Sequence, residues 1–213
     1  MTLKNLYDNH QGRGSIKWSH YFDHYDRHFQ RYVGQELTII EIGIGGGGSL
    51  QLWKQYFGPK AKIVGIDYDT KAMFTEPQIE TFCGEQTNID MWNHILGKYG
   101  RPDIIIDDGS HDQMDVFNTF NILYPSLKDD GVYVVEDTHT AYWNQWHGGI
   151  NSPFNFISLT SKHAHDVNLQ HIKEPYQPLL TNLKGISFYD SMIFLEKEIQ
   201  PKREPYDTNK RAT

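Results

Sequence analysis

The chain has very little cysteine, since Cys83 is the only one among its 213 residues. A single thiol excludes a disulfide framework within the chain and a zinc site built from cysteines. The sequence also lacks an apolar run approaching the roughly 18 residues of a membrane-spanning helix. Its start, Met1–Leu6, has no apolar signal-peptide core. These absences predict a cytoplasmic protein without a membrane span.

Positive charge is also scarce. Lys and Arg total 20 against 27 Asp and Glu, which gives a formal net charge of -7. Proteins that bind nucleic acid by neutralising phosphates need basic patches, and the sequence contains no basic run. We therefore expect no nucleic-acid partner.

Apolar runs alternate with amphipathic helical patterns, which is typical of a parallel sheet covered by helices on both faces. The sequence predicts strands at 37–42, 62–67, 79–83, 103–107, 131–136, 185–189 and 191–196, and helices at 49–57, 88–99, 115–127 and 154–168. The last two strands are predicted to form an antiparallel hairpin at the sheet edge. We predict one α/β domain over residues 1–198, with a helical N-terminal cap over 1–35 and a disordered tail over 199–213.

Acidic residues and a histidine follow two of the predicted strands. The strand predicted at 103–107 leads into Asp107, Asp108 and His111. The strand predicted at 131–136 leads into Glu136, Asp137 and His139. Ligands of open α/β sheets bind outside the carboxyl ends of the strands, and unpaired buried carboxylates are costly. The two strand ends therefore predict one shared site for a hard cation. A helix cap or a turn is the alternative for either pair alone.

A glycine-rich loop, EIGIGGGGS at 41–49, follows the first predicted strand. Gly43, Gly45 and Gly48 satisfy the G-x-G-x-x-G pattern, in which backbone amides approach a ligand closely. This pattern does not separate NAD from other adenosine ligands. Asp67 ends the second strand, where a carboxylate accepts hydrogen bonds from ribose hydroxyls. We expect the loop amides near the amino-acid end of the ligand and Asp67 on its ribose.

Glu41 precedes the glycines, and together with the acidic strand ends it favours S-adenosyl-L-methionine over NAD. A sulfonium ligand carries its own leaving group and needs no pyrophosphate cradle. Methyl transfer to a hydroxyl requires a fixed methyl group, a held hydroxyl and removal of the hydroxyl proton. The spacing of Asp108 and His111 allows a carboxylate to hold a metal while the imidazole reaches the hydroxyl.

The sequence resembles the macrocin and mycinamicin type (TylF-like) of S-adenosylmethionine-dependent sugar O-methyltransferases. The resemblance covers most of residues 10–197 and rests on the blocks Glu41–Gly45, Gly65–Asp67, Ile105–His111, Val135–Trp143 and Phe188–Ser191. It implies a Rossmann-like class I fold, with a mostly parallel seven-stranded sheet whose last strand is antiparallel. It also implies a divalent cation, usually Mg²⁺, and transfer to a sugar hydroxyl of a glycosylated natural product or a surface-polysaccharide precursor.

The resemblance implies roles for individual residues as well. The metal ligands would be Asp108, Glu136 and Asp137, and the catalytic residues His111, as general base, and Asp108. The cofactor-binding residues would be Glu41, Gly43, Gly45, Asp67, Gln86 and Asp107, with Gln86 on the adenine side. The family more often shows Gly-Asp-Gln at this point, whereas this chain has Gly84-Glu85-Gln86.

Aromatic residues are frequent in the loop after the second acidic block. Tyr142 and Trp143 are predicted to contact the acceptor, because aromatic side chains stack on sugar rings; packing is the alternative. His139 is also predicted to contact the acceptor, and orienting a ligand or packing are its alternatives. The aromatic residues between Trp18 and Phe29 have helical spacing and predict a packed helix.

Three other functions remain open from sequence. The first, an O-methyltransferase for a phenolic or catechol acceptor, would have an apolar slot beside the metal, whereas the polar residues of 138–149 favour a sugar. The second, an NAD-dependent oxidoreductase, would leave the acidic residues unused. The third, a non-catalytic adenosine-binding module, would need neither those acids nor His111. The expected partner is a small molecule or glycan precursor, and a homo-oligomer is also possible.

Overall fold

A computed structural model describes residues 2–199, 201, 202, 204 and 205. Its strands are β1 (Leu37–Ile42), β2 (Ala61–Asp67), β3 (Thr75–Glu76), β4 (Ile79–Cys83), β5 (Ile104–Asp107), β6 (Val132–Val135), β7 (Leu183–Tyr189) and β8 (Met192–Lys197). Its α-helices are α1 (Leu3–Asp8), α2 (Tyr21–Phe29), α3 (Gly48–Phe57), α4 (Ile89–Tyr99), α5 (Gln113–Leu123), α6 (Phe156–Ser161) and α7 (Ala164–Val167).

The strands form one mixed sheet in the order β3-β4-β2-β1-β5-β6-β8-β7. The five strands from β4 to β6 in that order are parallel, whereas β8 runs antiparallel to both β6 and β7. The Rossmann-like class I fold with an antiparallel last strand is therefore confirmed. The sheet has one strand more than the seven expected. The additional strand is the two-residue β3, which pairs with β4 because the chain reverses at Gln78, whose φ is 75°.

Apolar side chains of the sheet alternate between two covered faces. Ile39 packs with Tyr25 of α2 and Trp53 of α3 on one face. Its neighbour Ile40 packs with Trp92 of α4 on the other face. The N-terminal cap thus shares the core of the sheet. No helix among the described residues is long and apolar enough to span a membrane.

Two predicted helices end differently from the sequence pattern. The helix predicted over 115–127 begins at Gln113, because the Asp112 side chain accepts a hydrogen bond from the Met114 amide. It gives way to a short 3₁₀ turn at Tyr124–Ser126 that contains Pro125, a residue without a backbone donor. The helix predicted over 154–168 is interrupted between α6 and α7.

The predicted disordered tail over 199–213 lies mostly outside the described residues. Only residues 199, 201, 202, 204 and 205 of that range are described. The domain boundary at residue 198 therefore stays a prediction.

Candidate active site

The sheet places the ends of β1, β5 and β6 side by side. Ile42 is paired with Asp107, and Asp107 with Val135. The backbone bonds continue past the strands, from the Asp108 amide to the Ile42 carbonyl and from the Glu136 amide to the Asp107 carbonyl, both 2.9 Å long. Acidic residues that are far apart in sequence thus meet at one edge of the sheet.

Two neighbouring cavities open at this edge. The smaller one, of about 70 Å³, is lined by residues that include Gln86, Gly109 and Ser110. The larger one, of about 620 Å³, is lined by the glycine loop, by residues 14–17 and by Asp108, His111 and Asp137. Gly43 and Asp67 line both cavities. The predicted cofactor residues Gly43, Gly45, Asp67 and Gln86 therefore lie together along one continuous surface.

The glycine loop is held differently from the sequence expectation. Its amides were expected to face a ligand, yet those of Ile44 and Gly45 donate to Asp67 Oδ2 at 2.8 and 3.1 Å. The amides of Gly43, Gly47 and Gly48 donate to backbone carbonyls. The glycines are needed for close approach instead: a Cβ on Gly43 would lie 2.0 Å from the Asp108 carbonyl oxygen, and φ at Gly43 is +89°.

Two of the predicted cofactor-binding carboxylates, Glu41 and Asp107, are fully buried, and neither lines the two cavities. Glu41 accepts hydrogen bonds from Ser49 Oγ at 2.9 Å and Trp53 Nε1 at 3.0 Å. Burial raises the pKa of Glu41 and that of Asp107 to about 7. Both side chains point into the protein and find partners there, and their role as cofactor contacts stays a prediction.

Gln86 lines the smaller cavity and also organises its wall. Its Oε1 accepts the Ser110 amide at 2.7 Å, and its Nε2 donates to Thr119 Oγ1 at 3.0 Å. The side chain joins the segment after β4 to the segment after β5. Gln86 therefore holds the wall of the smaller cavity in shape through these two hydrogen bonds.

Two groups of potential metal ligands share Asp108. The first contains Asp108, His111 and Asp137, and the second Glu41, Asp108 and Glu136; within each group the ligand atoms lie within 4.8 Å of one another. The predicted ligand triad of Asp108, Glu136 and Asp137 does not form one such group in the described chain. Its three carboxylates do line one cavity of about 280 Å³.

The donor chemistry of the first group fits a divalent cation. Asp108 and Asp137 keep about a fifth of their side-chain surface exposed, at 21% and 23%, so ions have access to them. Hard cations such as Mg²⁺ prefer carboxylate oxygens of this kind. Glu136 is buried, and burial and the charge of Asp108 raise its pKa, whereas Lys17 and Tyr25 oppose that shift.

His111 is placed beside Asp108 and Asp137, the two partly exposed carboxylates. Its Nε2 lies 3.5 Å from Asp137 Oδ2 and 3.9 Å from Asp108 Oδ1. The backbone at His111 and Asp137 is left-handed, with φ of 57° and 52°. Such conformations are unfavourable for residues other than glycine and concentrate at functional sites. The imidazole therefore lines the larger cavity at a position that the surrounding structure enforces.

Three residues of the N-terminal cap that the sequence analysis did not assign to the site contact its carboxylates. Lys17 Nζ lies 2.5 Å from Asp108 Oδ2 and 2.6 Å from Glu136 Oε1. The hydroxyl of Tyr25 donates to Glu136, and that of Tyr21 donates to Asp137 Oδ1 at 2.6 Å. The spacing of the aromatic residues in α2 predicted only that this helix packs against the core. Such spacing shows which face of a helix is buried, and it does not show that a tyrosine hydroxyl on that face contacts a distant carboxylate.

The predicted acceptor residues His139, Tyr142 and Trp143 follow β6 in the chain. Trp143 and Tyr142 are exposed, and the rings of His139 and Trp143 are 4.8 Å apart between centroids. The His139 ring is also 6.3 Å from that of Trp18, which lines the cavity of the three carboxylates. His139 Nδ1 lies 3.1 Å from Ser191 Oγ. Their role as acceptor contacts stays a prediction.

Comparison with known proteins identifies relatives over most of the chain. No protein-family model matches. The mycinamicin VI 2''-O-methyltransferase of Micromonospora griseorubida is 37% identical over 199 residues, which are 86% of this chain and 49% of that protein. The demethylmacrocin O-methyltransferase of Streptomyces fradiae is 35% identical over 201 residues, 87% of this chain and 50% of that protein. Over this range the chain is similar to O-methyltransferases of the macrocin and mycinamicin type.

A solved structure shares the fold as well. The MycE methyltransferase of the mycinamycin biosynthetic pathway, in complex with Mg, SAH and mycinamycin VI, superposes with a TM-score of 0.80 at 32% identity. The match covers 97% of this chain and 56% of that one. The chain therefore spans about half the length of the relatives that it matches. The family resemblance deduced from the sequence motifs is confirmed.

Proposed function

We propose that this chain is an S-adenosyl-L-methionine-dependent O-methyltransferase that uses a divalent cation and acts on a sugar hydroxyl. The acceptor is a glycosylated natural product or a surface-polysaccharide precursor. One observation carries the proposal: the cavity lined by the glycine loop and Asp67 is also lined by Asp108, His111 and Asp137. A methyl donor and an ion-binding group with an imidazole would thus share one chamber.

The cofactor would lie across the two cavities, with Asp67 at the ribose between them. The smaller cavity, bordered by Gln86, suits the adenine, and the larger suits the methionine part. The MycE structure holds SAH and Mg, which supports the same pair of ligands here. An oxidoreductase that binds NAD would leave the carboxylates after β5 and β6 without a purpose.

The divalent cation would be held by Asp108, Asp137 and Glu136, the three carboxylates that line one cavity. When bound, it would orient the acceptor hydroxyl and lower the pKa of that hydroxyl. His111 would then accept the hydroxyl proton at Nε2 as the oxygen attacks the methyl group in line, while the bond from sulfur to that methyl breaks and S-adenosylhomocysteine leaves. The carboxylate of Asp108 keeps the imidazole close to the ion site.

The proposal is tested by calorimetric titration with S-adenosylmethionine and with NAD in parallel, each with and without Mg²⁺. We expect binding of S-adenosylmethionine and none of NAD. Binding of NAD alone would favour an oxidoreductase. Binding of S-adenosylmethionine without any methyl transfer to an acceptor would favour a non-catalytic adenosine-binding module.

Replacement of Asp67 with Ala should weaken S-adenosylmethionine binding by about tenfold or more, the effect of losing a hydrogen bond to a charged group. The variant also releases the amides of Ile44 and Gly45, so the loop beside the cofactor loses its anchor. The measurement is calorimetric affinity. Asp69→Ala is the matched control, because Asp69 is a nearby carboxylate that lines neither cavity. Unchanged affinity in a folded Asp67→Ala protein would rule out this placement.

A further inference from the structure

Lys17 occupies an unusual position between the carboxylates of three strands. Its side chain is only 5% exposed, and its ammonium lies 2.5 Å from Asp108, 2.6 Å from Glu136 and 3.5 Å from Glu41. Glu41 belongs to β1, and the other two carboxylates follow β5 and β6. One buried cation from outside the sheet therefore connects the ends of its three central strands. Removing one partner of a buried ion pair leaves an uncompensated charge, which is strongly destabilising.

The residues around Lys17, Arg13–Trp18, form a segment that we call the N-terminal strap. It lies on the glycine loop: the Gly14 carbonyl accepts a hydrogen bond from the Gly48 amide at 3.0 Å. The Arg13 guanidinium lies 4.0 Å from the centroid of the Phe74 ring. The strap thus forms part of the wall of the larger cavity, which residues 14–17 line next to the loop.

The glycine loop is shaped to receive this strap. A Cβ on Gly46 would lie 2.4 Å from the Gly14 carbonyl oxygen. A Cβ on Gly48 would lie 2.2 Å from the Arg13 carbonyl oxygen. Both distances are far below van der Waals contact, so any larger residue at either position would displace the strap. Part of the glycine run therefore serves the contact with the strap rather than the cofactor itself.

The strap has neutral anchors at one end and an ionic anchor at the other. Beyond the Gly14 contact, the Ser15 carbonyl accepts a hydrogen bond from the Tyr7 hydroxyl at 2.6 Å. Lys17 follows two residues later and is the strap residue that reaches the carboxylates of Asp108 and Glu136. Without the ammonium, the strap would lose its inner attachment to Asp108 and Glu136.

We propose that Lys17 is a positioning residue: its ammonium ties the N-terminal strap to Asp108 and Glu136 and so closes the cofactor cavity. The proposal rests on the proposed function, because the cavity that is closed is the one assigned to S-adenosylmethionine. In this role Lys17 contacts the carboxylates of Asp108 and Glu136. It acts through the carboxylates that it orients and through the wall that it holds in place.

The charge can be tested separately from the volume of the side chain. In a Cys83→Ser background, Lys17→Cys leaves one thiol, which is alkylated in urea with 2-bromoethylamine or with 1-bromopropane before refolding. The first product restores an ammonium at the length of lysine, and the second is a neutral side chain of the same size. The protein with Lys17 and the Cys83→Ser change is unfolded and refolded as the reference. Circular dichroism verifies folding, and calorimetry measures S-adenosylhomocysteine affinity.

We expect the aminoethylated protein to bind S-adenosylhomocysteine within about threefold of the reference and the propylated protein at least about tenfold more weakly, as one lost charged contact would cause. Equal affinities of the two products would overturn the role of the ammonium. Failure of the reference itself to bind would instead count against the proposed function.

A second measurement needs no refolding. Lys17→Met should make the strap amides exchange hydrogen at least about tenfold faster than in the unmodified chain, because local opening sets the protection of such segments. Lys4→Met is the control, since Lys4 pairs only with Asp8 on the surface. Unchanged exchange in folded Lys17→Met would contradict the proposal, whatever its activity.

Discussion

Replacing His111 with Ala should slow methyl transfer by about a hundredfold or more, the usual contribution of a positioned base. Cofactor and metal affinity should stay nearly unchanged, because the variant removes an interaction made in the transition state. The two effects involve different residues of the larger cavity: the imidazole lies 3.5 Å from Asp137, whereas cofactor binding is assigned to Asp67 and the glycine loop. Single-turnover rates and calorimetric affinities, measured on the same preparations, check it.

His139→Ala is the matched comparison for His111→Ala. Both imidazoles follow acidic strand ends, but His139 lies beside Ser191 and near the rings of Trp18 and Trp143. We expect its loss to change the acceptor KM more than the single-turnover rate. A near-normal rate for His111→Ala combined with a large loss for His139→Ala would transfer the role of base to His139.

Removal of the divalent cation should have an effect at least as large. Chelation is expected to lower turnover by about a thousandfold or more, since a metal contributes several kcal/mol of transition-state stabilisation. Adding Mg²⁺ back should restore turnover. Turnover that survives thorough chelation would contradict the role of the metal, and base catalysis by His111 alone would remain.

Asp137→Asn should reproduce the effect of chelation and raise the Mg²⁺ concentration needed for activity. Asp137 is one of the two more accessible carboxylates near the ion site. Its Oδ1 accepts a hydrogen bond from the Tyr21 hydroxyl. Asp112→Asn is the control, because Asp112 pairs with His147 outside that group. An unchanged Mg²⁺ requirement for Asp137→Asn would remove Asp137 from the ligand set.

The fold was largely predictable from the sequence because each strand carries its own signal. The isoleucines before Asp107 and the valines before Glu136 are continuous apolar runs, as buried parallel strands require. The rule that ligands bind at the carboxyl ends of such strands then brought Asp108, His111 and Asp137 to one edge. This step needed no knowledge of how the side chains point.

The parts that could not be predicted depend on side-chain direction and on contacts between distant segments. Sequence alone did not show that Glu41 and Asp107 turn into the core, where Trp53 and Tyr133 are among their partners. It also gave no signal that Lys17, 91 residues before Asp108, would reach the same carboxylates. Periodicity reports which face of an element is buried, not which polar atom crosses the core to meet another.

The most direct test of the account is methyl transfer from isotopically labelled S-adenosylmethionine in the presence of Mg²⁺, with product position determined by mass spectrometry. A glycosylated macrolide with a free sugar hydroxyl and a simple catechol are offered in parallel, each also with a chelator. The account predicts label on a sugar oxygen of the glycoside, and no transfer when the chelator is present. Label on the catechol alone, or transfer to the sugar that is indifferent to the chelator, would contradict it.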